Sequence, residues 1–171
     1  RVPKAAIYFL SGGWRFARLK QTLQELHDNC NWRLGYPVYL FLEKMSAKRQ
    51  AALKLVSGGL YEIHIFDIEG EFSRPLPVEA ANAPTKTRCS PHSSTIGYRR
   101  MCEFHAVGAA NRLMDGEGYE WLWRLDDDSQ LPVSIGYDPF RLMAENGQRY
   151  GTVVAMSDDS ACVEGLWELA E

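Results

Sequence analysis

Short apolar runs with a strand's period alternate along this chain with stretches of helical period, and that alternation constrains the fold more than any other feature. Ala5 to Leu10 (AAIYFL) is an apolar strand that stops at Ser11-Gly12-Gly13. From Trp14 to Asn29, the residues Phe16, Leu19, Leu23 and Leu26 recur at the spacing of one helix face. Val38 to Leu42 (VYLFL), entered through Pro37, is a second strand, and Ser46 is placed to cap a helix running to Val56. Tyr61 to Asp67 (YEIHIFD) alternates as a third strand. Beyond it the pattern predicts a helix over 96–114, a strand from Tyr119 to Asp126 and a helix from Asp138 stopped at Asn146-Gly147. Tyr150 to Met156 (YGTVVAM) reads as a further strand, and Gly165 to Glu171 opens another element. Residues 70–95 carry Pro75, Pro77, Pro84 and Pro91 and read as a long loop, since periodic elements resume on both sides. Strands separated by helices predict an α/β sandwich with a largely parallel sheet.

At 171 residues and 46% hydrophobic, the chain can bury one good core, so residues 1–171 are expected to form one domain. A net charge of -3 excludes general nucleic-acid affinity, which needs a basic face to displace counterions. No apolar run approaches the roughly 18 residues of a membrane span, and no signal-peptide pattern opens the chain. It begins at Arg1 and reads as a piece of a longer protein, whose flanks are where an anchor or address would lie. Cys30, Cys89, Cys102 and Cys162 form no close pair of the zinc-binding kind. Cys102 sits in an apolar helical pattern and reads as a buried thiol.

Residues 119–129, YEWLWRLDDDS, run from a dense aromatic strand into three consecutive acids. In open α/β sheets, ligands bind outside the carboxyl ends of the strands. Two features fall at such ends, Ser11-Gly12-Gly13 and Asp126-Asp127-Asp128. If the backbone stays extended, Asp126 and Asp128 project to one side and Asp127 to the other. Two carboxylates on one side suit Mn²⁺ or Mg²⁺, with diphosphate oxygens completing the shell. Asp runs also serve as solvated turns, and Arg124 is placed to pair with Asp126 at the surface. On the triplet alone both readings stand.

A longer set of motifs bears on the choice. IGYRRMCEFHAVGAANRL (96–113), YEWLWRLDDDS (119–129), YDPFRLMAENGQRYG (137–151) and GLWE (165–168) follow one another in the order and spacing of a known family. They resemble the fungal α-1,2-mannosyltransferases that extend O-linked and N-linked mannans, the glycolipid 2-alpha-mannosyltransferase type. Residues 1–67 match more loosely, as a first strand, a helix and a second strand.

The resemblance implies a GT-A fold, GDP-mannose as donor, a mannoside glycan on protein or lipid as acceptor, Mn²⁺ as cofactor (Mg²⁺ as the alternative) and transfer with retention. It implies a Golgi-lumenal enzyme, attached to the membrane only through a segment absent from this chain. The family's metal-binding Glu falls on Asp126, and its next two residues fall on Asp127 and Asp128. Asp is one methylene shorter than Glu, while Asp128 restores a second carboxylate, so Asp126 and Asp128 are the expected metal ligands. Tyr98 matches the family's Tyr beside the donor diphosphate, with Arg99 and Arg100 placed to offset its charge or to stand as exposed helix arginines. Ser11, Arg15 and Asp127 join the expected donor-binding set, Ser11 and Arg15 on the loop where GT-A enzymes contact the nucleoside. The nucleophile and a metal-binding His of the family lie beyond the motif ending at Trp167, so the catalytic residue is expected past Glu171.

His64 and His105 read as packing residues, His92 has no assignment, and Trp121 and Trp123 read as core unless their strand proves to be an edge. Three other classes remain open: a catalytically inactive nucleotide-sugar-binding module, a GT-A transferase with another donor, and a metal-dependent phosphohydrolase using the same acids. The last would want His or more Asp beside the triplet.

Overall fold

The computed structural model describes residues 3–75 and 96–152. Among these residues four parallel strands form one sheet in the order β3-β2-β1-β4. They are β1 (Ala5–Gly12), β2 (Val38–Glu43), β3 (Ile63–Asp67) and β4 (Trp121–Asp126). The helices are α1 (Phe16–Leu26), which runs on through a π turn to Leu34, and α2 (Ala47–Lys54). They continue with α3 (Glu69–Ser73), α4 (Ile96–Glu103), extended by π turns as far as Gly116, and α5 (Pro139–Glu145). The α/β architecture expected from the alternating periods is present. The strand expected over 150–156 and the GLWE motif fall largely or wholly outside the described residues.

β1 and β2 are apolar at nearly every position because both faces are covered, as in the central strands of parallel sheets. Ala5, Ile7 and Phe9 of β1 join Leu19, Leu23 and Leu26 of α1 and Leu53 of α2 in one core. Ala6 and Tyr8 point the other way, with Tyr39, Phe41, Ile68, Phe104 and Leu113. Each fully buried Leu or Phe here contributes about 1.5–3 kcal/mol over its exposed state. β1 extends two residues past Leu10, because Ser11 and Gly12 still pair with Leu42 and Glu43. β4 pairs with β1 from Ala5↔Trp121 to Leu10↔Asp126 and ends the strand order among the described residues. Trp121 and Trp123 are accordingly only half-buried, packed against the α1-side core.

Helix boundaries follow local chemistry. Ser46 precedes α2 in extended conformation, and its carbonyl accepts from Gln50 N at 3.0 Å, so it stands at the cap position without a side-chain bond. Asp138 caps α5, its carboxylate accepting from Phe140 N at 3.1 Å and Arg141 N at 3.2 Å, with Pro139 in the first turn. Gly147, at φ 64°, ends α5 where the Asn-Gly pair predicts it. Cys30 is buried, but Cys102 is exposed, because its side of α4 faces away from the sheet. The buried-thiol expectation for Cys102 is therefore corrected.

Candidate donor site

From β1 the chain adds β2 and then β3 on one side, and then crosses back to place β4 on the other. The strand order thus reverses between β1 and β4. At such a switch point the loops leaving adjacent strands part to opposite faces and open a crevice at the carboxyl ends. The two sequence features meet there, since Leu10 pairs with Asp126 at the strand ends.

Beyond Asp126 the backbone does not stay extended. Ser129 N donates to Asp126 O at 3.0 Å, and Asp126 N donates to Ser129 Oγ at 3.0 Å, closing a turn over the acids. The expected alternation, with Asp126 and Asp128 on one side, is corrected by this turn. Asp126 faces Arg124, whose Nε and Nη2 lie 3.2 and 3.0 Å from its Oδ1. Asp127 and Asp128 both turn to Arg15. Arg15 Nε lies 3.0 Å from Asp127 Oδ1 and its Nη2 lies 2.5 Å from Asp128 Oδ2, with Arg18 Nη1 at 3.7 Å from the same oxygen. Arg15 Nε makes an ion pair by distance with no hydrogen-bond alignment, so its strong bond is the one to Asp128.

Asp127 is the buried member of the triplet, at 4% exposure. Ser11 Oγ donates to its Oδ2 at 2.6 Å, and Thr22 Oγ1 donates to its backbone carbonyl at 3.0 Å. Burial pushes its carboxyl above the ordinary carboxylate range, and the Ser11 bond and the Arg15 charge pull it partly back. Asp127 therefore ties β1, α1 and β4 together. Ser11 and Arg15, expected on the donor loop, are brought to the acids and engaged with them. Asp126 and Asp128 keep side-chain exposures of 57% and 43%, and among the described residues the second oxygen of each takes no hydrogen bond. Those are the oxygens left to bind something else.

Tyr98 and Arg99 stand in the first turns of α4, which runs on over the sheet face opposite Arg15; Tyr98 is 42% exposed and Arg99 half-buried. Arg100 is neither exposed nor turned to the acids. It is 5% exposed and donates to the carbonyls of Glu71 and Arg74, fastening α4 to α3. It lines a cleft of ≈ 350 Å³ whose charges pair among themselves, Arg74 with Glu103 and Arg112 with Glu71. That cleft does not include the acidic turn, where unsatisfied carboxylate oxygens meet an exposed loop.

His105 is a packing residue. Its ring lies 5.9 Å from that of Tyr8, whose hydroxyl is 3.4 Å from Nδ1, and burial lowers its pKa from 6.5 to about 4. His64 stacks on Tyr39 at 4.6 Å and pairs with Glu62 at 3.0 Å. His92, Cys89 and Cys162 lie outside the described residues.

A polar stripe escaped the sequence reading. Thr22, Glu25, Asn29 and Arg33 recur at helical spacing along α1 and its extension and hold the backbone that follows the acids. Thr22 Oγ1 also donates to Ser129 O at 3.1 Å, Leu131 N to Glu25 Oε2 at 3.0 Å and Asn29 Nδ2 to Leu131 O at 2.6 Å. Arg33 Nη2 donates to Ile135 O at 2.9 Å. The visible signal was a second, polar periodicity beside the leucines.

A parallel α/β sheet with an acidic turn at its switch point is the layout of a GT-A-type nucleotide-sugar transferase. The family model described as glycolipid 2-alpha-mannosyltransferase matches residues 1–171, and the chain belongs to that family of glycosyltransferases. The glycolipid 2-alpha-mannosyltransferase of Saccharomyces cerevisiae is 35% identical over 173 residues, 97% of this chain and 38% of that protein. O-glycoside alpha-1,2-mannosyltransferase homolog 4 of Schizosaccharomyces pombe is 31% identical over 85% of this chain and 34% of its own length. Among solved structures, the mannosyltransferase Ktr4p of S. cerevisiae in complex with GDP superposes with a TM-score of 0.84 at 19% identity, covering 99% of this chain and 44% of that one. Core-mannan synthase A of Aspergillus fumigatus, in a Mn/GDP form, gives 0.78 at 21% identity, over 98% and 46%. The chain spans less than half the length of each of these relatives.

Proposed function

We propose that this chain is the donor-binding part of a metal-dependent mannosyltransferase that uses GDP-mannose, transfers mannose with retention to a mannoside glycan on protein or lipid, and works in the Golgi lumen. The observation that carries the reading is the meeting of the acidic turn with the Ser11–Arg15 loop at the switch point between β1 and β4. The mannosyltransferase relatives, with GDP in two structural neighbours and Mn in one of them, support GDP-mannose as the donor.

Asp126 and Asp128 are hard oxygen donors of the kind a divalent cation takes, but the turn faces them to different arginines, so a cation held by both would draw them away from Arg124 and Arg15. Asp126 and Asp128 each present a carboxylate oxygen at the surface, and no group of three His, Cys, Asp or Glu among the described residues forms a protein-only site. Mn²⁺ or Mg²⁺ held by these two would draw its remaining ligands from the diphosphate. Bound there, the cation would supply charge to a departing diphosphate. The chain's own part is to hold the acids: Arg124 and Arg15 restrain them, and buried Asp127 fixes the turn. Arg15 and Arg18 add positive charge where the diphosphate would lie, an electrostatic contribution set in place before the reaction. Tyr98 and Arg99 belong to the proposed donor set by resemblance, from α4 on the sheet face opposite Arg15, and the nucleophile is proposed to lie in the part of the family's sequence beyond Glu171.

Mn²⁺ is expected to raise the melting temperature only when a nucleoside diphosphate is present, with GDP outperforming UDP. Ligand at 100 times its Kd adds about 2.7 kcal/mol, enough to read. Asp126→Ala or Asp128→Ala should abolish the increment at little cost to the metal-free protein. An increment unchanged in both variants would return the triplet to a solvated turn, and a preference for UDP would remove the mannosyl donor.

A further inference from the structure

Trp14 stands 83% exposed at the carboxyl end of β1, although a tryptophan exposes so large an apolar surface only at a cost. Its position is built. A Cβ on Gly13 would run into the Lys44 carbonyl, so only glycine lets this loop press against the end of β2. Arg49 Nη1 donates to Gly13 O at 3.1 Å and secures that approach. Lys44 itself adopts φ 56°, a left-handed conformation that non-glycine residues rarely hold. Trp14, the residue after Gly13, stands outward of this anchored loop. The indole folds back on Gly12, where a Cβ would lie 2.6 Å from Nε1, and Arg15 Cζ sits 5.2 Å from the ring centroid. Arg15 is in turn held by Asp127 and Asp128. An exposed aromatic ring is thus braced through one residue to the acidic turn.

We propose that Trp14 is a stacking platform for the base of the nucleoside diphosphate, a role that rests on the donor reading above. With the diphosphate at the β4 turn, the ring lies on the β1–β2 side, one residue from the cations facing that diphosphate. A planar base has the shape to cover the exposed indole, and stacking tolerates any base because each has a π-face. Base selection then belongs to other groups.

Calorimetric titrations with GDP and with inorganic pyrophosphate, both with Mn²⁺, test this on the native chain, Trp14→Ala and Trp14→Phe. Trp14→Ala should weaken GDP about tenfold and leave pyrophosphate unchanged. Trp14→Phe, which keeps a ring, should retain most of the GDP affinity. The exposed position makes an unaltered melting temperature the expected folding control. Native GDP affinity in Trp14→Ala, or an equal loss for GDP and pyrophosphate, overturns the platform and leaves the donor site standing. So does a native chain that binds GDP no tighter than pyrophosphate. A native chain that binds neither probe removes the donor reading itself, and the platform with it.

Discussion

Three adjacent aspartates, alike in the sequence, hold three different positions. Asp126 and Asp128 sit at the surface against arginines, whereas Asp127 is buried under Ser11, Thr22 and Arg15. Exposed pairs of the first kind are worth up to about 1 kcal/mol, since solvent screens them and ordering two side chains opposes them. Removing a buried acceptor leaves its donors without partners and costs about 1–3 kcal/mol. Asp127→Ala is therefore expected to lower unfolding stability by that larger amount and Asp126→Ala by less than about 1 kcal/mol, measured by urea titration without metal. Equal losses would show that Asp127 is no more a tie than its neighbours. The sequence made the cluster plain but not its division of labour. The alternation rule holds only for extended backbone, and the Ser129 bond to Asp126 O closes a turn instead.

The π turns beyond α4 lie against β1. His105 packs there beside Tyr8, with Arg124 and Asp126 as the charges that face it. Burial, helped by the Arg124 charge and opposed by that of Asp126, takes its pKa from 6.5 down to about 4. The sign follows directly. Between these values the unfolded chain binds the proton and the folded chain does not, so folding stability falls as pH drops from 6.5 to about 4. His105→Phe should flatten that part of the stability profile relative to the native chain, as read by denaturant titration at successive pH values. An unchanged slope would mean the imidazole is solvated. The helical period of 96–114 was legible, but not the π turns that carry it from Phe104 to Gly116. Extra residues per turn leave no mark in apolar spacing this short.

For the whole molecule, the decisive arrangement is the return of the chain to the far side of β1 to lay down β4. The segment after the acids then runs back along α1, held by the polar stripe. Glu25→Ala removes the acceptor of Leu131 N while leaving the leucine face of α1 intact. Amide exchange at Leu131 should accelerate, with protection in β1 and β2 unchanged, because local opening is set by the bonds of that segment alone. Faster exchange throughout the sheet would show that the stripe supports the core rather than the turn.

What the sequence determined by itself was the set of elements. Apolar runs of period two and leucines at helical spacing are local patterns, and burial on two faces of a parallel sheet leaves its mark directly in residue type. It also determined that Ser11-Gly12-Gly13 and the aspartates sit at strand ends, since both follow apolar runs at once. Only the tertiary structure decided that these two ends are neighbours, because strand order depends on which side of β1 the chain returns to. The same holds for Arg15 and Arg100. Arg15 reads as a donor-loop residue and Arg100 as a diphosphate partner or an exposed helix arginine, yet one spans two carboxylates 112 and 113 positions away and the other is buried against α3. Partners so far apart in the chain are chosen by packing, and no local period records them.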